Sequence, residues 1–244
     1  MKTLSRIFLA LLGGILWACS GFLDEKPNLS LVIPEKLDDF QGLLDAEMRG
    51  MNSYPTNGLI SSDDVVIGPG TLPRLNFNLS AFYFWESETS LPGEMDIHWQ
   101  SAYSKIMYAN VVLDGLKDYN PTNSGEELRM VDLEAQARFF RAQGHYEALM
   151  HYGETFDPQA GTQLGIPIRT TSDINVRTNR ASVRECFDFI LEDLEFAANH
   201  LREKQEIPTR PSRWAAEAML GRVYLNMQDY PGLQKSQFFA SLLL

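Results

Sequence analysis

The sequence predicts a mostly α-helical domain on an exported chain, and three observations predict it. Apolar residues recur at helical spacing over four long stretches between Trp99 and Met227. Those stretches are bounded by capping signals and by Gly or Pro punctuation. Only one segment, Leu75 to Trp85, alternates apolar and polar residues as a strand does, apart from Phe82 and Phe84. With 44% hydrophobic and 11% aromatic residues among 244, the composition is not that of a disordered chain. It is long enough to bury the core of one domain.

The chain opens MKTLSRIFLALLGGILWACSGFLDEKP, where Lys2 and Arg6 precede an apolar run from Ile7 to Ala18. A charged segment followed by a short apolar one directs export. The run falls short of the roughly 20 residues that cross a bilayer. Ala18 is a small residue directly before Cys19, and Leu-Trp-Ala-Cys looks like a bacterial lipobox, in which the cysteine is acylated after cleavage. The alternative is an ordinary signal peptide with a chance cysteine near its cleavage site. The expected organisation is a lipoprotein signal peptide at 1–18, a tether from Cys19 to residue 33, and a helical domain over 34–244. With Cys19 acylated, Cys186 is the one remaining thiol and no internal disulfide can form. Cleavage would make the net charge of −11 more negative by the loss of Lys2 and Arg6. So acidic a chain repels nucleic acid and favours neutral or cationic partners.

A first helix opens at Pro34 and carries Leu37, Phe40, Leu43, Leu44 and Met48 at helical spacing. Residues 51–93 read as loop, punctuated by glycine and proline around the candidate strand. The first long helix carries Trp99, Tyr103, Ile106, Asn110 or Ala109, Leu113 and Leu116. After DYNPTNSG, Ser124 and Glu127 read as a capping box opening the second. Its face is Leu128, Val131, Ala135, Phe139, Ala142, Tyr146 and Leu149, and Gly153 is expected to end it in a left-handed turn. Ser182 and Glu185 form another capping box, before a third face of Phe187, Ile190, Leu194, Ala198 and Leu201. Ala216, Leu220, Val223 and Met227 line the fourth. Trp99 and Trp214 sit on apolar faces and read as core. Small residues at Ala135, Ala142, Ala197 and Ala216 mark close helix approaches, which suggests tetratricopeptide-like pairs more than a closed bundle.

Signals of chemistry are sparse. No His-Glu-x-x-His, nucleophile elbow or phosphate-binding glycine loop is present. His145 and His151 point to different sides of one helix, so no metal or other cofactor is expected. Asp63 and Asp64 read as a solvated loop pair, DYNPTNSG as a turn between helices, and Cys186 as a small buried residue. These readings point away from an enzyme.

Five segments, in order after the lipobox, resemble the SusD/RagB family of Bacteroidetes outer-membrane lipoproteins. They are WQSAYSKIMYANVVLDGL (Trp99 to Leu116), EAQARFFRAQGHYEALMHYG (Glu134 to Gly153), GIPI, RASVRECFDFILEDLEFAANHL (Arg180 to Leu201) and RWAAEAMLGRVYL (Arg213 to Leu225). The resemblance implies a right-handed superhelix of tetratricopeptide-like pairs with long loops. It implies a cell-surface protein, lipid-anchored in the outer membrane, that captures glycans or peptides without catalysis and passes them to a SusC-like TonB-dependent transporter. The other readings are a helical interaction scaffold without a small ligand, or a truncated remnant. Leu244 falls far short of the family's usual length, so the C-terminal half is expected to be missing and the chain as written poorly soluble. For ligand contact AFYFWES remains, with Trp85 and Tyr83 as candidates and Phe82 and Phe84 behind them. Flat rings bury the C–H faces of sugars at low conformational cost. The alternative for the run is a strand packed on the helices.

Overall fold

The computed structural model describes residues 34–47, 50–89, 91, 93–159 and 162–236. The signal sequence, Cys19, the tether and Met48 lie outside these, as does the tail from residue 237. Helix α1 (Leu37–Leu44) turns Leu37, Phe40 and Leu44 inward. It begins at Leu37 and not at Pro34, because the Asp39 carboxylate accepts from the Lys36 backbone N–H at 3.1 Å and fixes the first turn there.

Short helix α2 (Asn57–Ile60) and a 3-10 turn (Leu72–Arg74) lead into α3 (Phe77–Tyr83). The strand expected over Leu75–Trp85 is thus corrected to a helix. Asn76 nucleates it, its side-chain oxygen accepting from the Leu79 N–H at 2.8 Å. The apolar run from Ala81 to Trp85 is unbroken, so it offers no period of two for a sheet face to bury. Of α3, only Ala81 is fully buried.

The four long helices are α4 (Ile97–Asp118), α5 (Ser124–Tyr152), α6 (Val183–His200) and α7 (Arg213–Asn226), followed by the short α8 (Tyr230–Lys235). Each packs on the next, and α1 lies against both α4 and α5. The fold is mostly α, built of tetratricopeptide-like helix pairs. Ala135, Ala142, Ala197 and Ala216 are completely buried, as their small size at helix approaches predicts. DYNPTNSG is the turn between α4 and α5, but the cap of α5 is Asn123, whose side chain accepts from the Glu126 N–H at 3.0 Å. Ser124 is already helical and makes no capping box. Between α5 and α6 the chain forms two antiparallel strands, β1 (Leu164–Pro167) and β2 (Arg180–Ser182), with Leu164 opposite Ser182. The GIPI segment is therefore mostly strand, too short for any alternation to show in sequence. Ser182 and Glu185 form the predicted capping box.

The stripe on α5 needs correction at its start. Leu128 is 75% exposed and Val131 is exposed too. The helix is covered on two sides, by α1 and α4 along Leu133, Ala137 and Phe140, and by α6 along Ala142, Tyr146 and Leu149. One continuous seven-residue stripe could not represent both. Trp214 is likewise corrected, being 36% exposed on the outer side of α7. Gly153 caps α5 with φ −85°, not in a left-handed turn. Its lack of a side chain serves space, since a Cβ there would lie 2.7 Å from the Leu149 carbonyl oxygen. Cys186 is buried and free, under Ile166 of β1.

Candidate functional site

The aromatic run separates into distinct parts at the end of α3. Trp85 is 76% exposed and has φ +57°. Its N–H donates to the Phe82 carbonyl, and the Glu86 N–H donates to the Ala81 carbonyl at 2.9 Å. This pair of bonds is a Schellman end, with tryptophan in the left-handed position that glycine usually takes. Such a backbone is costly for a bulky residue, and the strain holds an indole out of the core. Phe84 is also exposed, so it stands beside the indole and not behind it. Tyr83 is half-buried, packs edge-on against Phe84 at 5.3 Å, and accepts from the Ile67 N–H at 3.3 Å. Phe82 turns toward α4, meeting the His98 ring edge-on.

Two clefts flank the first turns of α4 and share Met95. One, of about 530 Å³, is lined by polar Asn76, Asn78, Thr89 and His98 together with Phe82. The other, of about 430 Å³, has Trp99 and Tyr103 along one wall, their rings 4.4 Å apart. Its opposite wall is the strap that follows β1, through Arg169 and Thr171. Volumes of this size suit small ligands. The second cleft is not legible in the sequence, where Trp99 reads as core. It is half-buried against the core and open to the cleft as well. Trp85 lines neither cleft.

The strap is tied to α4 and α5 by buried and half-buried polar groups. Tyr103 Oη donates to the Pro167 carbonyl at 2.8 Å, and Asn110 Nδ2 donates to the Arg169 carbonyl at 3.0 Å. Asp114 accepts from the backbone and hydroxyl of Ser172. His145 completes the set: Nδ1 donates to the Arg141 carbonyl at 2.8 Å, and Nε2 accepts from the Arg169 N–H at 3.1 Å. That network requires the neutral ring. Burial holds its pKa down to about 3, against an ordinary value of 6.5.

The unfolded chain therefore takes up a proton at His145 below pH 6.5 that the folded chain refuses. Stability is expected to fall by ~1.4 kcal/mol per pH unit from this group as pH drops from 6.5 toward 3. Denaturant melts of the protein and of His145→Gln across that window measure it. The variant starts less stable but shows the shallower pH slope; equal slopes overturn the assignment.

A further hollow, about 850 Å³, lies between α1, α5 and residues 200–210. Two ion pairs cross it, Arg210 with Asp45 and Arg129 with Asp38. Among the described residues no three His, Cys, Asp or Glu gather as metal ligands, and no helix is long and apolar enough to cross a membrane. Asp63 and Asp64 are exposed, as expected of a loop pair.

Comparison with known proteins follows the helices. A family model described as SusD-like, starch-binding and associating with the outer membrane matches residues 21–225. A SusD-like protein of Bacteroides ovatus is 27% identical over 138 residues, which are 56% of this chain and 23% of that protein. Two solved structures share the fold. A SusD superfamily protein from Bacteroides thetaiotaomicron has TM-score 0.66 at 22% identity, covering 82% of this chain and 45% of its own. A SusD-like carbohydrate binding protein from Bacteroides vulgatus has TM-score 0.64 at 16% identity, covering 85% and 45%. The chain thus spans less than half the length of these relatives. With well over half of its residues matched by the family model, through the helices that frame both clefts, the chain belongs to the SusD/RagB family.

Proposed function

We propose that the protein is a surface lipoprotein that binds nutrient glycans and delivers them to a SusC-like TonB-dependent transporter. In this reading residues 1–18 are a cleaved signal peptide, Cys19 carries the acyl anchor in the outer membrane facing outward, and residues 19–33 are the tether. Residues 34–244 form the first part of the family's domain. The protein binds its ligand without turning it over. The family's character, starch-binding and outer-membrane-associated, supports the ligand class and the location.

The observation that carries the ligand role is Trp85, a large ring kept exposed at a backbone position that disfavours it. With Tyr83 bracing Phe84 beside it, the ring offers a flat apolar face to a pyranose. Stacking of that kind suits a neutral sugar approaching an acidic protein, because it needs no charge.

The test is titration of the folded chain with a panel of neutral oligosaccharides, repeated on Trp85→Ala and Trp85→Gly. Both variants are expected to lose affinity roughly 10- to 100-fold, from the ~1.5–3 kcal/mol of one buried large side chain. Trp85→Gly should at the same time raise stability by about 1 kcal/mol, because glycine fits the left-handed position. Binding by neither protein nor variants sinks the glycan reading, and binding untouched by Trp85→Ala sinks the platform.

A further inference from the structure

The cleft between α4 and the strap holds one group that the Trp85 platform does not use, the guanidinium of Arg169. Its Nη1 donates to the Val176 carbonyl and, at 3.1 Å, to Thr178 Oγ1, while Nη2 donates to the Asp173 carbonyl. These bonds aim the side chain, yet every acceptor is neutral. Among the described residues no carboxylate lies within ion-pair distance of it.

Two other arginines of this chain show what the Nε–Nη2 edge can do. Arg141 holds Asp193 through Nε and Nη2 at 2.7 and 2.8 Å. Arg210 holds Asp45 through the same two atoms at 2.9 and 2.7 Å. In Arg169 the Nε–H of that edge has no partner among the described residues, while Nη2 gives one of its two N–H groups to the Asp173 carbonyl. A parallel N–H fork matches a carboxylate in geometry as well as charge.

The rest of the cleft describes what the carboxylate is attached to. Trp99 and Tyr103 provide adjoining rings, and the Tyr103 hydroxyl is spent on Pro167, leaving the ring faces as the contact surface. Gln100 and Ser104 line the same space, with side chains unpartnered among the described residues and able to meet hydroxyl groups. Arg169 is the one charged side chain among the described residues that line the cleft, in a chain of net charge −11. An apolar ring face, hydroxyls and one carboxylate, all within about 430 Å³, are the features of an acidic sugar.

We propose that this cleft is a saccharide subsite selective for a uronic acid, with the pyranose face on Trp99 and Tyr103 and its carboxylate on Arg169. The proposal rests on the glycan-binding reading and adds the charge of the ligand.

Calorimetric titration of the folded full chain with trigalacturonic acid, with its methyl ester and with maltotriose separates the possibilities. The acid is expected to bind at least about tenfold more tightly than the ester. Added salt should narrow that gap, and Arg169→Gln should close it without altering affinity for the ester. Equal binding of acid and ester overturns the proposal, and so does a preference that survives in Arg169→Gln. The ester comparison needs no substitution, so it decides the matter even if the variant misfolds. Binding of maltotriose with neither galacturonate rejects the uronic acid subsite and leaves the glycan reading standing. Absence of binding to every saccharide rejects both.

Discussion

Replacing Glu147 by alanine is expected to destabilise the protein by about 3–5 kcal/mol, the usual consequence of stranding a buried charge. Lys105 Nζ sits 2.7 Å from Glu147 Oε1 between α4 and α5, with essentially no exposure on either side chain. It also donates to the Ser53 carbonyl at 2.9 Å, which fastens the loop after α1 to the helix pair. Burial alone pushes the Lys105 amine down and the Glu147 carboxyl up, and each opposes that shift in the other. Without Glu147, only the neutral Ser53 carbonyl is left to the buried ammonium, with no countercharge. The deficit then carries a pH signature. In Glu147→Ala the folded-state pKa of Lys105 lies below its unfolded value of about 10.4, so the loss is full below the folded pKa, fades as pH rises from there, and is gone above the unfolded value. A packing defect has no such dependence. The double variant Lys105→Met with Glu147→Leu removes both charges and is expected to restore most of the stability. Denaturant unfolding of the single and double variants at neutral and alkaline pH checks both statements. A pH-independent deficit in the single variant, or a double variant no better than it, contradicts them.

This ion pair also shows what the sequence conveys and what it withholds. The four long helices are legible because their cores repeat every three or four residues, and Ser182 with Glu185 marks one boundary to the residue. Lys105 and Glu147 interrupt apolar faces, and nothing local says that they meet across 42 positions. The same holds for the strap, whose ties run from Tyr103, Asn110, Asp114 and His145 to residues 167–172. Trp85 could be singled out as a candidate from its neighbours alone, but its exposure depends on the left-handed end of α3, in a segment whose letters resemble a strand. The second cleft needs α4 and the strap together, and so no linear motif announces it. Arg169 follows GIPI directly, and its place on a cleft wall without a carboxylate partner is visible only in three dimensions.

Gly144→Val is expected to destabilise the protein by roughly 3 kcal/mol, and Gly144→Ala by ~1–2 kcal/mol. Gly144 lies where α5 crosses α4, and a Cβ there would fall 2.8 Å from Ile106 Cγ1 and 2.9 Å from the Ala102 carbonyl oxygen. The two obstacles differ in kind. Ile106 is a side chain that can be shortened, whereas the Ala102 oxygen belongs to the α4 backbone and cannot move unless the helices part. Ile106→Ala, which removes that Cγ1, should therefore lower the cost of Gly144→Ala only in part when each is compared in the Ile106→Ala background, and that of Gly144→Val hardly at all. Parting the helices has a functional cost as well. Trp99, Tyr103 and Asn110 reach the cleft from α4, while His145, next to Gly144 on α5, holds its opposite wall. A wedge at Gly144 thus acts on the distance between the two walls. In thermal melts with saccharide titration, Gly144→Ala should lose affinity for a cleft ligand while binding at Trp85 persists. If Gly144→Ala costs nothing in the Ile106→Ala background, α4 and α5 are not locked at this crossing, and the cleft walls are then not set by it.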